Sequence, residues 1–158
     1  MDFAQVVKNR HSVRKYTDEA VDRELIDAIL DMALTAPSSK NTKSSSFMVV
    51  EDRDTLAAIS EMRSSGSTFV KDAPAAIIVL GDPEKTDLWE VNAAISSTFV
   101  QLAATSLGLG SCWVQVAGRP RDKHDESKGL AEDYLKELLG IRSQYHVLCV
   151  IALGYEAE

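Results

Sequence analysis

Leu107-Gly108-Leu109-Gly110-Ser111-Cys112-Trp113-Val114-Gln115-Val116 decides the fold class, because it joins a long helical pattern to a strand through two glycines. Upstream, from about Thr86 to Leu107, the residues Leu88, Val91, Ile95, Phe99 and Leu102 recur at helical spacing, and the other faces are mostly alanine, serine and threonine. A helix of that kind is covered on most of its sides. Gly108 closes it, and Cys112 to Val116 reads as a strand from its aromatic and β-branched content. The Gly-x-Gly thus follows a helix and enters a strand, the reverse of the dinucleotide fingerprint, and no third glycine stands at the needed spacing. A Rossmann site is excluded. The bare backbone at Gly108 and Gly110 allows amides to approach a flat ligand, though helix termination alone also accounts for Gly108.

Moving outward, residues 2–9 suggest a short helix with Phe3, Val6 and Val7 on one side. A second helix is expected to be capped by Asp22, with Val21 and Ile26 at hydrophobic-staple spacing and a stripe of Leu25, Ile26, Ile29, Leu30 and Leu34. It stops before Pro37, which pushes Ala36 away from helical geometry. Residues 37–46 form a polar loop, and a strand runs from Phe47 to Val50. Asp52 caps a third helix carrying Leu56, Ile59 and Met62, and Gly66 marks a serine-rich connection. Ala75 to Leu80 is a buried strand by its unbroken apolar run. After a polar loop from Gly118 to Lys128, Leu130, Tyr134 and Leu138 mark a last helix closed by Gly140, and Val147 to Leu153 a last strand. Strands mixed with helices of these lengths indicate an α/β or α+β sandwich. With no repeat or long linker, residues 1–158 are expected to form one domain.

At 158 residues with 45% hydrophobic and 26% charged content, the chain is an ordinary globular one. Lysine plus arginine number 17 against 24 acids, and a net charge of −7 argues against a nucleic-acid or acidic-membrane surface. Any anion site must therefore be local. No apolar run reaches the roughly 20 residues of a membrane span, and Met1 to Arg10 lacks a signal-like apolar region, so a cytoplasmic location is expected. Cys112 and Cys149 read as reduced core thiols. There is no zinc spacing, His124 reads as an exposed loop residue, and no metal site is expected. No Gly-x-Ser-x-Gly elbow supports hydrolase chemistry.

Two more segments could carry chemistry. In Arg10-His11-Ser12-Val13-Arg14 an extended backbone puts Arg10, Ser12 and Arg14 on one face, and two guanidinium forks around a hydroxyl suit a phosphate. Read alone, the segment reads first as a solvated basic turn, because charge runs usually are solvated faces. Pro37-Ser38-Ser39-Lys40-Asn41 is rich in short donors and acceptors that could hold the edge of a planar heterocycle, and ordinary turn chemistry uses the same residues.

Together these segments resemble the nitroreductase family of flavin enzymes. The family's Arg-x-Ser-x-Arg/Lys-x-aromatic is matched by Arg10 to Tyr16, its Ala-Pro-Ser-Ser-x-Asn loop by Ala36 to Asn41, its Leu-Gly-Leu-Gly-Ser-Cys-Trp run by Leu107 to Trp113, and its closing Leu-Gly-Tyr by Leu153 to Tyr155. The resemblance implies an α+β three-layer sandwich, with a mainly antiparallel sheet flanked by helices, in an intertwined homodimer that holds two FMN molecules at the subunit interface. It implies Arg10, His11, Ser12 and Arg14 at the phosphate and ribityl side of FMN. Pro37, Ser38, Ser39 and Asn41 would come from the other subunit. Gly110, Ser111, Trp113, Val114 and Gln115 would lie along the isoalloxazine ring.

The activity implied is an FMN-dependent oxidoreductase that takes hydride from NADH or NADPH and reduces small acceptors such as nitroaromatics or quinones by ping-pong kinetics. Flavin carries the chemistry, so no side chain is assigned as catalytic. Rival readings are a reductase fed by a protein electron carrier and a non-catalytic FMN-binding or sensing module. Two departures bear on these. Lys43-Ser44-Ser45 stands where the family often has Gln-Pro-Trp, and the chain stops at Glu158 without the family's frequent basic tail.

Overall fold

The computed structural model describes residues 1–158. Its centre is a sheet of four strands, β1 (Ser45–Val50), β2 (Ala75–Gly81), β3 (Gly110–Gln115) and β4 (His146–Gly154), in the order β1-β2-β4-β3 with every pair antiparallel. Strand alternation divides the apolar residues into two cores. Ile77, Val79, Ile151 and Leu153 face one layer of helices, α2 (Arg23–Leu34) and α4 (Trp89–Ser106), while Ile78, Leu80, Val114 and Val150 face α3 (Arg53–Ser60) and α5 (Ala131–Leu139). The result is the three-layer α+β sandwich with an antiparallel sheet. Ile26, Ile29, Leu56 and Ile59 are wholly buried, each worth roughly 1.5–3 kcal/mol. The short α1 (Phe3–Asn9) is held by a capping box between Asp2 and Gln5. No helix is long and apolar enough to cross a membrane.

Most expected elements fall within a few residues of their observed bounds, and the differences are instructive. Asp22 stands at the N-cap of α2 but makes no capping hydrogen bond, whereas Asp52 accepts from the Thr55 amide at 2.9 Å. β1 begins at Ser45, inside the expected loop, because pairing with β2 extends to Gly81. On α5 the inward residues are Ala131 and Leu135, and Leu130 and Leu138 lie at the surface. The largest surprise is α4. It packs on the sheet through Ala93, Val100, Ala103 and Ala104, and its larger residues Leu88 and Val91 are 46% and 52% exposed. Small side chains face the sheet, so the bulky stripe is turned aside, exposed at Leu88 and Val91 and half-buried at Ile95, Phe99 and Leu102.

β4 carries one extra residue. Val79 pairs with Cys149 but Leu80 with Val147, which leaves Leu148 as a bulge. Its carbonyl accepts from both the Val116 and Ala117 amides at 3.0 Å, just where β3 ends.

Candidate functional site

The chain leaves α1 at Arg10 in extended geometry and docks on the outer edge of β3. Ser12 bridges Ser111 in parallel, and the Val13 amide donates to the Ser111 carbonyl at 2.9 Å. Val13 is buried, and a Cβ at Gly110 would lie 2.8 Å from one of its methyls. Gly110 is therefore bare to admit Val13. Gly108, with φ of +82° and open space around it, terminates α4. Further along, the Thr17 amide donates to the Tyr155 carbonyl, and the Tyr16 hydroxyl to the carbonyl of Val13. Burial holds Tyr16 well above the usual phenol range.

With Val13 turned inward, Ser12 and Arg14 face outward and Arg10 is half-buried. Neither Arg10 nor Arg14 enters an ion pair. His11 is differently placed: Nδ1 lies 2.8 Å from the Asn9 carbonyl and Nε2 3.0 Å from a Glu156 carboxylate oxygen. Hydrogen bonding to Glu156, and then to Asn9, raises its pKa. His11, Val13, Thr105, Gly110 and Glu156 line a cavity of about 150 Å³ beside this segment.

On β3, Ser111 is buried and accepts from Gln101 Nε2 at 3.4 Å, while Val114 is buried in the α3/α5 core. These two can meet a ligand only through backbone. Trp113 and Gln115 are half-buried and joined, the indole N–H donating to Gln115 Oε1 at 2.9 Å. Cys112 is raised by burial, and Cys149, buried beside Ser97, is pushed up to about 12, so both thiols are inert at neutral pH.

The loop from Pro37 to Asn41 is organised by a residue outside every sequence motif. Asn92, buried in the first turn of α4, accepts from the Ser39 amide at 3.0 Å and donates to Ser39 Oγ at 3.0 Å and Ser44 Oγ at 2.9 Å. The loop needs such a brace, since Lys40, Asn41 and Lys43 all have positive φ, between 49° and 56°. Lys43 is exposed, and its ammonium reaches the Leu34 carbonyl at 3.5 Å, at the end of α2. It thus complements a helix terminus. The cavity against this loop is only about 20 Å³, room for about one water.

The chain brings Arg10 to Arg14 together with Gly110 to Gln115, but not with the Pro37 loop. That loop sits at the opposite edge of the sheet, beside β1. Asn92 at one segment and Gln101 at the other are nine residues apart along α4, roughly 14 Å at about 1.5 Å per residue. Asn92, Gln101 and Glu156 escaped the sequence reading. For the two amides the available signal was a large polar side chain in a helix otherwise built of small and apolar residues.

This geometry has clear counterparts. The nitroreductase family model matches residues 7–68 and 62–155. An FMN-dependent nitroreductase of Clostridium difficile R20291 has the same fold with a TM-score of 0.91, at 43% identity over 97% of this chain and 87% of that one. A protein of Methanothermobacter thermautotrophicus, provisionally named NADH dehydrogenase/NAD(P)H nitroreductase, is 38% identical over 100% of this chain and 79% of its own. An FMN reductase [NAD(P)H] of Bacillus subtilis is 27% identical over 98% and 67% respectively. Since the family model spans residues 7–155, nearly the whole chain, the chain belongs to the nitroreductase family.

Proposed function

We propose that this protein is an FMN-dependent oxidoreductase that takes reducing equivalents from NADH or NADPH and passes them to small acceptors such as nitroaromatics or quinones. The observation that carries the reading is the pair of guanidinium groups without acidic partners, Arg10 and Arg14, flanking Ser12 on a segment fixed to β3. In a chain of net charge −7, cations left without acids on a rigid edge are suited to a phosphate. The donor set thus fits FMN. Arg10, His11, Ser12 and Arg14 would hold its phosphate and ribityl side. The backbone of Gly110, Ser111 and Val114 and the side chains of Trp113 and Gln115 would border the ring.

Pro37, Ser38, Ser39 and Asn41 would complete the site from a second copy, because their own chain holds them at the far edge of the sheet. The exposed Leu88 and Val91 side of α4 gives that copy an apolar surface to cover. When bound, FMN supplies reversible hydride chemistry. The chain's residues bind and orient, and Trp113 with Gln115 shields one side from water. Donor and acceptor would share the remaining side in turn, which gives ping-pong kinetics. Titration of FMN into apo-protein tests the reading: Arg10→Ala is expected to lose about 1.5–3 kcal/mol, roughly ten- to hundredfold in affinity. Unchanged affinity removes Arg10 from the phosphate site, and protein that takes up no FMN refutes the proposal.

A further inference from the structure

Beyond the end of β3 the chain gathers cations that no acid neutralises. Arg63, Arg119, Arg121 and Lys123, with Ser64 and Ser65, line a cavity of about 220 Å³. None of the four enters an ion pair, although the chain has 24 acidic residues against 17 basic ones. The cluster is held in place by its own backbone. The Ser64 amide donates to the Arg121 carbonyl at 2.7 Å, the Arg121 amide to Gly129 at 2.9 Å, and the Ala131 amide to Arg119 at 3.0 Å, which ties the loop to the start of α5.

The Arg121 guanidinium lies 3.9 Å over the Tyr134 ring, and its Nη2 donates to the Glu61 carbonyl at 2.9 Å. Its Nε is buried with no partner in the chain. Burial, and after it the charge of Arg119, lowers the pKa of Arg63 from its ordinary value. Like charges packed this way repel until an anion joins them. The cavity also abuts β3, because Arg63 Nη1 reaches the Gln115 carbonyl at 3.5 Å.

We propose that Arg63, Arg119, Arg121 and Lys123 form an anion subsite that takes the phosphate end of a substrate whose other end reacts at the flavin. The inference rests on the flavin reading above, which sets the ring along Gly110 to Gln115. Guanidinium forks match phosphate oxygens in pairs, the lysine adds a point charge, and the two serine hydroxyls add neutral donors. A neutral nitroaromatic or quinone gains nothing from such a site. A dinucleotide donor does, through either its pyrophosphate or the 2′-phosphate of NADPH.

The test uses flavin-loaded protein and titrates adenosine 2′,5′-bisphosphate and inorganic pyrophosphate calorimetrically into wild type, Arg119→Ala and Lys123→Ala, both substitutions being at exposed positions. At least one probe is expected to bind about ten- to hundredfold more weakly to Arg119→Ala. A rise in KM for NADPH alone assigns the subsite to the 2′-phosphate, and an equal rise for NADH assigns it to the pyrophosphate. Unchanged binding of both probes in both variants overturns the proposal. So does loss of bound FMN from Arg119→Ala, which would make these cations part of the cofactor's own site. Wild-type protein without flavin absorbance sinks the flavin reading instead, and pyrophosphate titration still reports on the cations themselves.

Discussion

Removing the side-chain amide of Asn92 is expected to disorganise a loop fifty residues away in sequence. In Asn92→Ala the Ser39 amide and the Ser44 hydroxyl lose partners now 3.0 and 2.9 Å away, and Ser44 is 3% exposed. An abandoned buried polar group costs about 1–3 kcal/mol, and two such groups, with some relief from water at the half-buried Ser39, suggest a loss of about 2–4 kcal/mol. For a chain of this length that is a fall in Tm of about 4–16 °C. Loss should be local before it is global, because the positive φ values at Lys40, Asn41 and Lys43 are tolerated only while the brace holds. Amide exchange from Ser39 to Ser44 should therefore accelerate more than exchange in β2, and FMN affinity should fall if the loop serves a partner's site. Asn92→Asp keeps the acceptor for Ser39 but no amide donor for Ser44, and it buries a charge, so it should rescue little. A Tm within about 1 °C of wild type, with unchanged exchange in the loop, would refute the bracing role.

Gly110→Ala forces a methyl to within 2.8–3.0 Å of Val13, an overpacking cost of about 1–3 kcal/mol. FMN titration should show weakened binding as the Arg10 segment lifts from β3, and intact affinity would mean the segment docks without that fit. The His11 pair with Glu156 gives a pH signature. A folded pKa raised above its ordinary 6.5 contributes to docking of the C-terminal segment below that pH, and the contribution is lost as pH rises through the raised value. An NMR titration of His11 should show the shift in wild type and lose it in Glu156→Gln; the same midpoint in both would remove the pair. Val91→Glu puts a charge on a residue 52% exposed in the single chain, so sedimentation should show the proposed dimer converting to monomer while helix content is kept. A surviving dimer places the contact elsewhere.

Elements with a strong local cause were legible. Pro37 stops α2 near Leu34, Gly140 closes α5 in a left-handed turn, and the run from Ala75 to Leu80 is a strand buried on both faces. What escaped depends on packing between distant parts. The stripe along α4 has the spacing of a core face, yet the sheet accepts the alanine side because small residues permit closer approach, a choice no single-helix pattern contains. The same holds for Leu130 and Leu138 on α5, where Ala131 and Leu135 occupy the inward positions. At the site, the Arg10 segment could be read because alternation and charge are local properties. Asn92 could not, since its partners Ser39 and Ser44 lie across a tertiary gap.

The bulge at Leu148 makes part of the molecule less tolerant of length changes than of substitutions. A strand without that residue would keep its register, with Leu80 still opposite Val147 and Gly81 opposite His146, and only the bulge itself would vanish. Val147 would stay in the α3/α5 core, and His146 would keep its stack on Trp89, 4.8 Å between ring centres, and its 3.0 Å contact with Glu132. What would go is the Leu148 carbonyl that catches Val116 and Ala117, so the path of the chain toward Arg119 and Arg121 would lose its anchor. Drift by point mutation can reshape that loop freely, but a one-codon deletion in β4 would change its aim. Length at this position is therefore expected to vary far less among functional descendants of this chain than residue type does.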